Sequence, residues 1–87
     1  MNHKVEQYIE IIEQSGFDWL KMDRLISHAS NNMNGTLSYD QFNRIFRLLI
    51  VHGKLLLESE YKRYRDKLYE VGIMWGFVDV AFFDEVK

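Results

Sequence analysis

The chain has 87 residues, of which 47% are hydrophobic and 15% aromatic, and it contains no cysteine and no proline. That length suffices for one compact domain with one core, and without cysteine neither a disulfide nor a thiolate metal site can reinforce the core. The net charge of -2 argues against a chain that is strongly basic throughout. No apolar run is long enough to span a membrane, and no secretory signal is recognisable. The lack of cysteine fits a reducing compartment, so we expect a cytoplasmic protein.

Helical spacing of apolar residues predicts two short helices in the first third of the chain. Val5, Tyr8, Ile9 and Ile12 recur on one side of a helix over residues 3–15, which Gly16 would end. A second helix would begin after Asp18, whose side chain can cap the free backbone N–H groups. Its predicted buried stripe is Trp19, Met22, Leu25, Ile26 and Ala29.

Two further helices follow a polar loop over residues 30–36. Ser38 and Gln41 have the spacing of a capping box, and Gly53 would end the third helix in the left-handed conformation. Ser59 would cap a fourth helix, which Gly72 would stop. The predicted buried stripes are Phe42, Ile45, Phe46, Leu49 and Ile50 in the third helix, and Leu57, Tyr61, Tyr64, Leu68 and Val71 in the fourth.

The amino-acid composition of the sequence changes after Gly72. Residues 73–80 are rich in large and β-branched apolar residues and favour a strand. This strand could form a hairpin that includes residues 77–83, and residues 81–87 could equally form a short terminal helix.

Positive charge is concentrated in the middle of the sequence. Residues 41–69 carry seven Lys or Arg against three Asp or Glu. Residues 1–40 carry three against six, and residues 70–87 carry one against four. The third and fourth helices therefore form the one basic segment of an acidic chain.

The order of helix, Gly53 turn, Ser59-capped helix, the ending Leu68-x-x-x-Gly72-Ile73 and a strand resembles the winged helix-turn-helix superfamily over residues 38–80. The resemblance implies a mostly α (α+β) domain of four helices with a short C-terminal strand or hairpin. It also implies a second helix that enters the major groove of DNA. The nucleic-acid-binding residues implied by position are Arg44, Arg47, Lys54, Lys62, Arg63, Arg65 and Lys67.

Asp66 and Glu70 lie on the same side of the fourth helix and would repel phosphate. This repulsion argues against duplex DNA binding and favours two other uses of the fold. One is single-strand binding, in which Tyr69 or Trp75 stacks on bases, and the other is contact with another protein.

Residues 30–41, followed by Phe42, resemble an EF-hand loop with Gly35 in its sixth position and Leu37 in its eighth. The first position is Ser30 and the twelfth is Gln41, so the carboxylates that bind calcium are missing there. We predict no metal site.

No arrangement of residues typical of an enzyme emerges, because His3, His28 and His52 fall on different elements and no phosphate-binding loop or nucleophile motif is present. We expect a protein without enzymatic activity or cofactor that binds DNA, possibly single-stranded, as an accessory to replication or transcription. The lack of proline with many Ile, Lys, Asn and Tyr is typical of AT-rich genomes and suggests a mobile element. The alternative is a protein-binding adaptor, an inhibitor, a subunit of a larger complex, or a degenerate EF-hand interaction module.

Overall fold

The computed structural model describes residues 1–53 and 57–79. These residues form four α-helices and one 3-10 turn, with no strand among them. The helices are α1 (His3–Ser15), α2 (Trp19–Ala29), α3 (Tyr39–His52) and α4 (Glu58–Met74), and the turn covers Asn32–Asn34. The mostly α, four-helix prediction is confirmed. No helix of the described ranges is long and apolar enough to cross a membrane.

Side-chain caps set the starts of the first three helices. Asn2 accepts a hydrogen bond from the backbone N–H of Val5 at 3.1 Å, and Asp18 accepts one from Leu20 at 2.8 Å. Ser38 and Gln41 form both hydrogen bonds of the predicted capping box. Each cap contributes about 1 kcal/mol to stability. The Asp18 and Ser38 predictions are confirmed, whereas the role of Asn2 was not predicted.

All four helices give an apolar stripe to one core. Its buried members are Val5, Ile9, Ile12, Met22, Leu25, Ile26, Ala29, Leu37, Phe42, Ile45, Leu49, Tyr64, Leu68 and Val71. Two residues predicted in the stripes are instead exposed, Ile50 by 55% and Leu57 by 70%. Ile50 is eight positions after Phe42 and one after Leu49, so the helical rotation places it about 80° from Phe42 and about 100° from Leu49, outside the buried stripe.

Gly53 ends α3 for a different reason from the predicted one. Its φ is -62°, in the right-handed region, so the left-handed prediction is wrong. The constraint is space, because a Cβ atom on Gly53 would overlap the ring of Tyr61. The missing side chain lets the start of α4 pack closely against the end of α3.

The predicted bounds of α4 are also wrong. The helix begins at Glu58, after a Leu57 that provides no side-chain cap, and continues through Gly72 to Met74. A Cβ on Gly72 would lie 2.7 Å from Cζ of Phe42 and 2.6 Å from Cγ2 of Val78. Glycine inside a helix costs about 1 kcal/mol, and here it allows α3 and the end of the described chain to approach α4.

The segment predicted as a strand folds back as a turn where it is described. Ile73 and Met74 are the last residues of α4, and the backbone N–H groups of Phe77 and Val78 both donate to the carbonyl of Gly72. The strand prediction is therefore wrong for residues 73–79. Val80, the rest of the predicted hairpin and the alternative terminal helix lie outside the described residues.

Asn2 ties α1 to the loop between α2 and α3. Its side chain is fully buried. The side-chain nitrogen, Nδ2, donates to the backbone carbonyls of His28 at 3.2 Å and Asn31 at 3.4 Å. The Gln41 side chain donates to the Asn2 carbonyl at 2.9 Å. We call this set of contacts the Asn2 tie. It fixes the loop of residues 30–38 against the start of α1.

Candidate functional site

The structure spreads the predicted basic residues over more than one face. Arg44 and Arg47 belong to α3, and Lys62, Arg63, Arg65 and Lys67 belong to α4. Lys54 lies outside the described residues. On a helix with 3.6 residues per turn, positions 63 and 67 share one side, whereas position 65 lies on nearly the opposite side. The four cations of α4 therefore do not form one row.

Arg44 connects α3 to α1. Its Nη1 donates to Oε2 of Glu6 at 2.7 Å, and its Nη2 donates to Oε1 of Glu13 at 2.6 Å. The hydrogen bond with Arg44 holds the pKa of Glu6 below its ordinary value, and the hydrogen bonds with Glu13 and Glu6 raise the pKa of Arg44. A phosphate would have to displace two carboxylates in order to reach this guanidinium.

The side chain of Arg47 is exposed. It borders a small cavity of about 140 Å³ between α1 and α3. The other lining residues are Glu13, Arg44, Leu48, Val51 and His52. The surroundings of Arg47 are thus mixed in charge and partly apolar.

The charges of α4 balance. It carries the cations Lys62, Arg63, Arg65 and Lys67 and the anions Glu58, Glu60, Asp66 and Glu70, which is four of each and a net charge of zero. Lys62 pairs with Glu58 at 3.3 Å, and Arg65 lies 3.6 Å from Asp66. The helix therefore does not present a uniformly positive surface to a polyanion.

Arg63 and Lys67 differ from the other cations of the helix. Both are exposed, and neither forms an ion pair with another residue in the ranges 1–53 and 57–79. They flank the ring of Tyr64, with Cζ of Arg63 5.3 Å and Nζ of Lys67 5.6 Å from its centre. Burial, and then a hydrogen bond with Asp23, raise the pKa of Tyr64. Its ring stacks on that of Trp19 of α2, with ring centres 4.8 Å apart.

A groove runs between α2 and α4 beside these two cations. It encloses about 390 Å³, and we call it the α2–α4 groove. Its lining residues are Asp23, Ile26, Ser27, Ser30, Lys67, Glu70, Val71 and Met74. Ile26 and Val71 are buried and form an apolar floor, whereas serine and charged side chains form the rim.

No charged side chain lines the far end of the groove. A second cavity of about 260 Å³ shares Ser30 and Met74 with the groove and adds Asn32 and Trp75. Met74 is 53% exposed. The indole N–H of Trp75 donates to the carbonyl of Ala29 at 2.6 Å, which holds the ring against the end of α2. The groove thus passes from a charged end at Lys67 to an uncharged end at Met74.

The two rings suggested for base stacking are both half-buried. Tyr69 lies against Phe46, with ring centres 5.4 Å apart. Trp75 is held by its hydrogen bond to Ala29. Each ring already has a protein neighbour on the described chain. A base would therefore find only part of either ring accessible.

The loop that resembles an EF-hand is closed by protein groups. Gln41, its twelfth residue, is buried, and its side chain bonds to the backbone of Asn2 and Ser38 and to Glu6. In the described part of the chain, no group of three or more His, Cys, Asp or Glu side chains could hold a metal ion. The side chain at the position that grips calcium in an EF-hand is used here to hold the Asn2 tie.

Sequence reasoning missed the α2–α4 groove because it ended the fourth helix at Gly72. With the helix continued to Met74, the positions 67, 70 and 74 have the spacing of one helical face. That spacing was present in the sequence. The pairing of this face with Asp23 and Ser27 of α2 depends on tertiary packing and has no local signal.

Comparison of the chain with protein-family models, with curated proteins and with solved structures found no match.

Proposed function

We propose that this domain is a non-enzymatic protein-binding module, acting as an adaptor, an inhibitor or a subunit of a larger complex, and that its partner binds in the α2–α4 groove. One observation carries the proposal. The groove combines a buried apolar floor with the exposed side chain of Met74 at its open end.

The chemistry of the groove suits a polypeptide. Covering exposed apolar surface yields about 25 cal/mol per Å², and the flexible thioether of methionine adapts to the shape of a partner. The polar rim supplies hydrogen-bonding groups around this apolar centre, as is common in protein interfaces. The zero net charge of α4 favours such a partner over a polyanion.

Site-specific photo-crosslinking in the native cell tests the proposal. A photoreactive residue at position 74 should form a crosslink with one defined protein, which is then purified and shown to bind the domain directly. The matched control is position 11, because Ile11 is 44% exposed on α1, away from the groove. Equal crosslinking from both positions, or none from position 74, would refute groove binding.

Nucleic-acid binding is the second candidate function. It is supported by Arg63 and Lys67, which are exposed and have no carboxylate partner among residues 1–53 and 57–79. The succession of α3, a short connection and α4 supports a helix-turn-helix arrangement for this role. We further propose a cytoplasmic location, which the lack of cysteine supports.

Fluorescence anisotropy with single-stranded and duplex DNA tests this second candidate. If the two cations bind phosphates of a duplex, the logarithm of the affinity should fall with the logarithm of salt with a slope of about -2. Replacement of both Arg63 and Lys67 by Gln should remove most of that slope, whereas Lys4→Gln on α1 should leave it unchanged. No binding of either DNA at low salt would exclude this role.

A further inference from the structure

The charged side chains that line the α2–α4 groove are mostly anionic. They are the carboxylates of Asp23 and Glu70 and the ammonium group of Lys67, which is two negative charges against one positive charge. Asp23 is hydrogen-bonded to the Tyr64 hydroxyl, and a carboxylate that accepts a bond from a neutral hydroxyl keeps its charge. Arg63 does not line the groove. Charge complementarity therefore favours a cationic group of the partner.

Glu70 is the carboxylate best placed to bind this cation. Its side chain is exposed and forms no ion pair with another residue of the described ranges. It lies one turn before the end of α4 at Met74, and the last turn of this helix contains no basic residue. Because the carbonyl end of a helix attracts positive charge, both Glu70 and the end of α4 stabilise a cation that binds here.

The neighbouring end of α2 adds hydrogen-bond acceptors. The two helix ends lie together, since the indole N–H of Trp75 donates to the carbonyl of Ala29. Ser27 and Ser30 line the groove on the α2 side, and their hydroxyl oxygens can accept hydrogen bonds. Arginine suits this set better than lysine, because its planar guanidinium directs five N–H donors at separate acceptors.

The rest of the groove surface is apolar. Ile26 and Val71 are buried in its floor, and Met74 is 53% exposed at its open end. A guanidinium that binds the carboxylates leaves Met74 uncovered. The surface is therefore filled only if an apolar side chain lies next to the arginine in the partner.

We infer, on the basis of the proposed protein-binding function, that the partner inserts an arginine with a large apolar neighbour into the α2–α4 groove. The guanidinium pairs with Glu70 and Asp23, and the apolar side chain packs against Met74. Lys67 repels the guanidinium and so lowers the affinity.

Three short peptides that differ at one position test the inference. Each carries Leu in a background of Gly and Ser, with blocked ends, and the residue before Leu is Arg, citrulline or Glu. Citrulline has nearly the shape of arginine and no charge. Binding to the full chain is followed by NMR titration. The Arg peptide should bind about 5-fold more tightly than the citrulline peptide, as expected for an exposed ion pair, and the Glu peptide should bind most weakly. The shifted signals should lie on α2 and α4.

Substitutions of opposite effect make the result specific. Glu70→Gln should remove most of the preference for Arg over citrulline, whereas Glu60→Gln, the same change at an exposed residue in the first turn of α4, should leave it unchanged. Lys67→Gln should increase the preference, and Lys4→Gln on α1 should not. Because Glu70 and Lys67 are exposed, the circular dichroism spectrum should stay unchanged in these variants.

Met74→Ala measures the apolar contact separately. It should weaken the Arg and citrulline peptides equally, because it removes a contact with the Leu that both peptides share.

Four results would overturn the inference. These are equal affinity for the Arg and citrulline peptides, an unchanged preference in Glu70→Gln, shifted signals confined to surfaces outside the groove, or no binding of any peptide. If no peptide binds but the crosslink at position 74 is found, the partner chemistry is wrong and the protein-binding function stands. If the crosslink is also missing, both proposals fail.

Discussion

Replacement of Asn2 by Ala should destabilise the domain far more than is usual for a residue so close to the start of a sequence. The change removes the cap on Val5, which is worth about 1 kcal/mol. It also removes the two bonds to the carbonyls of His28 and Asn31, at 3.2 and 3.4 Å. Bonds of this length fall in the lower half of the usual range of about 0.5–1.5 kcal/mol.

The expected total loss in the free energy of unfolding is about 2 kcal/mol, or roughly 10 °C in Tm for a domain of this size. Urea unfolding followed by circular dichroism measures it. Asn2→Ser separates the two contributions, because serine keeps a capping oxygen and loses the bonds to the loop. It should cost about half as much as Asn2→Ala.

Gln7→Ala provides the control for this measurement. Gln7 is exposed on the same helix, so its replacement should change stability by less than about 0.5 kcal/mol. If Asn2→Ala cost no more than Gln7→Ala, the buried contacts of Asn2 would carry no stability, and the reasoning about the Asn2 tie would be wrong.

Three further predictions concern single contacts. Gly53→Ala should destabilise the domain by about 1–3 kcal/mol, because its methyl group overlaps the Tyr61 ring, and urea unfolding should show partial recovery when Tyr61→Leu is added. The pKa of Glu6 is lowered by Arg44, so this contribution is full above about pH 4.5 and is lost as the pH falls through the folded-state pKa. Stability measured against pH should thus fall less steeply in Glu6→Gln below that pH, and equal slopes would contradict the pairing. Ser38→Ala should cost about 1 kcal/mol by removing the cap of α3, and a loss below 0.3 kcal/mol, roughly the measurement error, would refute the role of the capping box.

The starts of α2 and α3 could be predicted because their signals are local. Asp18 and Ser38 lie within three residues of the N–H groups that they cap, so the sequence alone contains both partners. The end of α4 was predicted wrongly at Gly72, because glycine ends helices in many local contexts. Phe42 and Val78 leave no room for a Cβ atom at position 72, so glycine is needed there inside α4. Phe42 belongs to another helix, and periodicity does not reveal such a close approach.

The candidate site also depends on contacts between helices, which local sequence signals do not reveal. The winged helix-turn-helix resemblance implies phosphate contacts for Arg44 by its position, but the two carboxylates that bind Arg44 lie 38 and 31 positions away on α1. The exposure of Lys67 could be predicted from the helical pattern. Its place on the same side of the α2–α4 groove as Met74 depended on the true end of α4 at Met74, which the sequence pattern predicted too early.

The Asn2 tie also has a consequence for the order of folding. Asn2 and Gln41 are 39 positions apart, so their contact closes a long loop, and the entropy cost of that closure must be met before the contact can stabilise the chain. α1 has 13 residues, near the length at which isolated helices are marginal in water. We therefore expect α1 to consolidate late, with φ-values near zero at Asn2 and higher values in the core positions of α3. A high φ-value at Asn2 would instead place this contact in the folding nucleus.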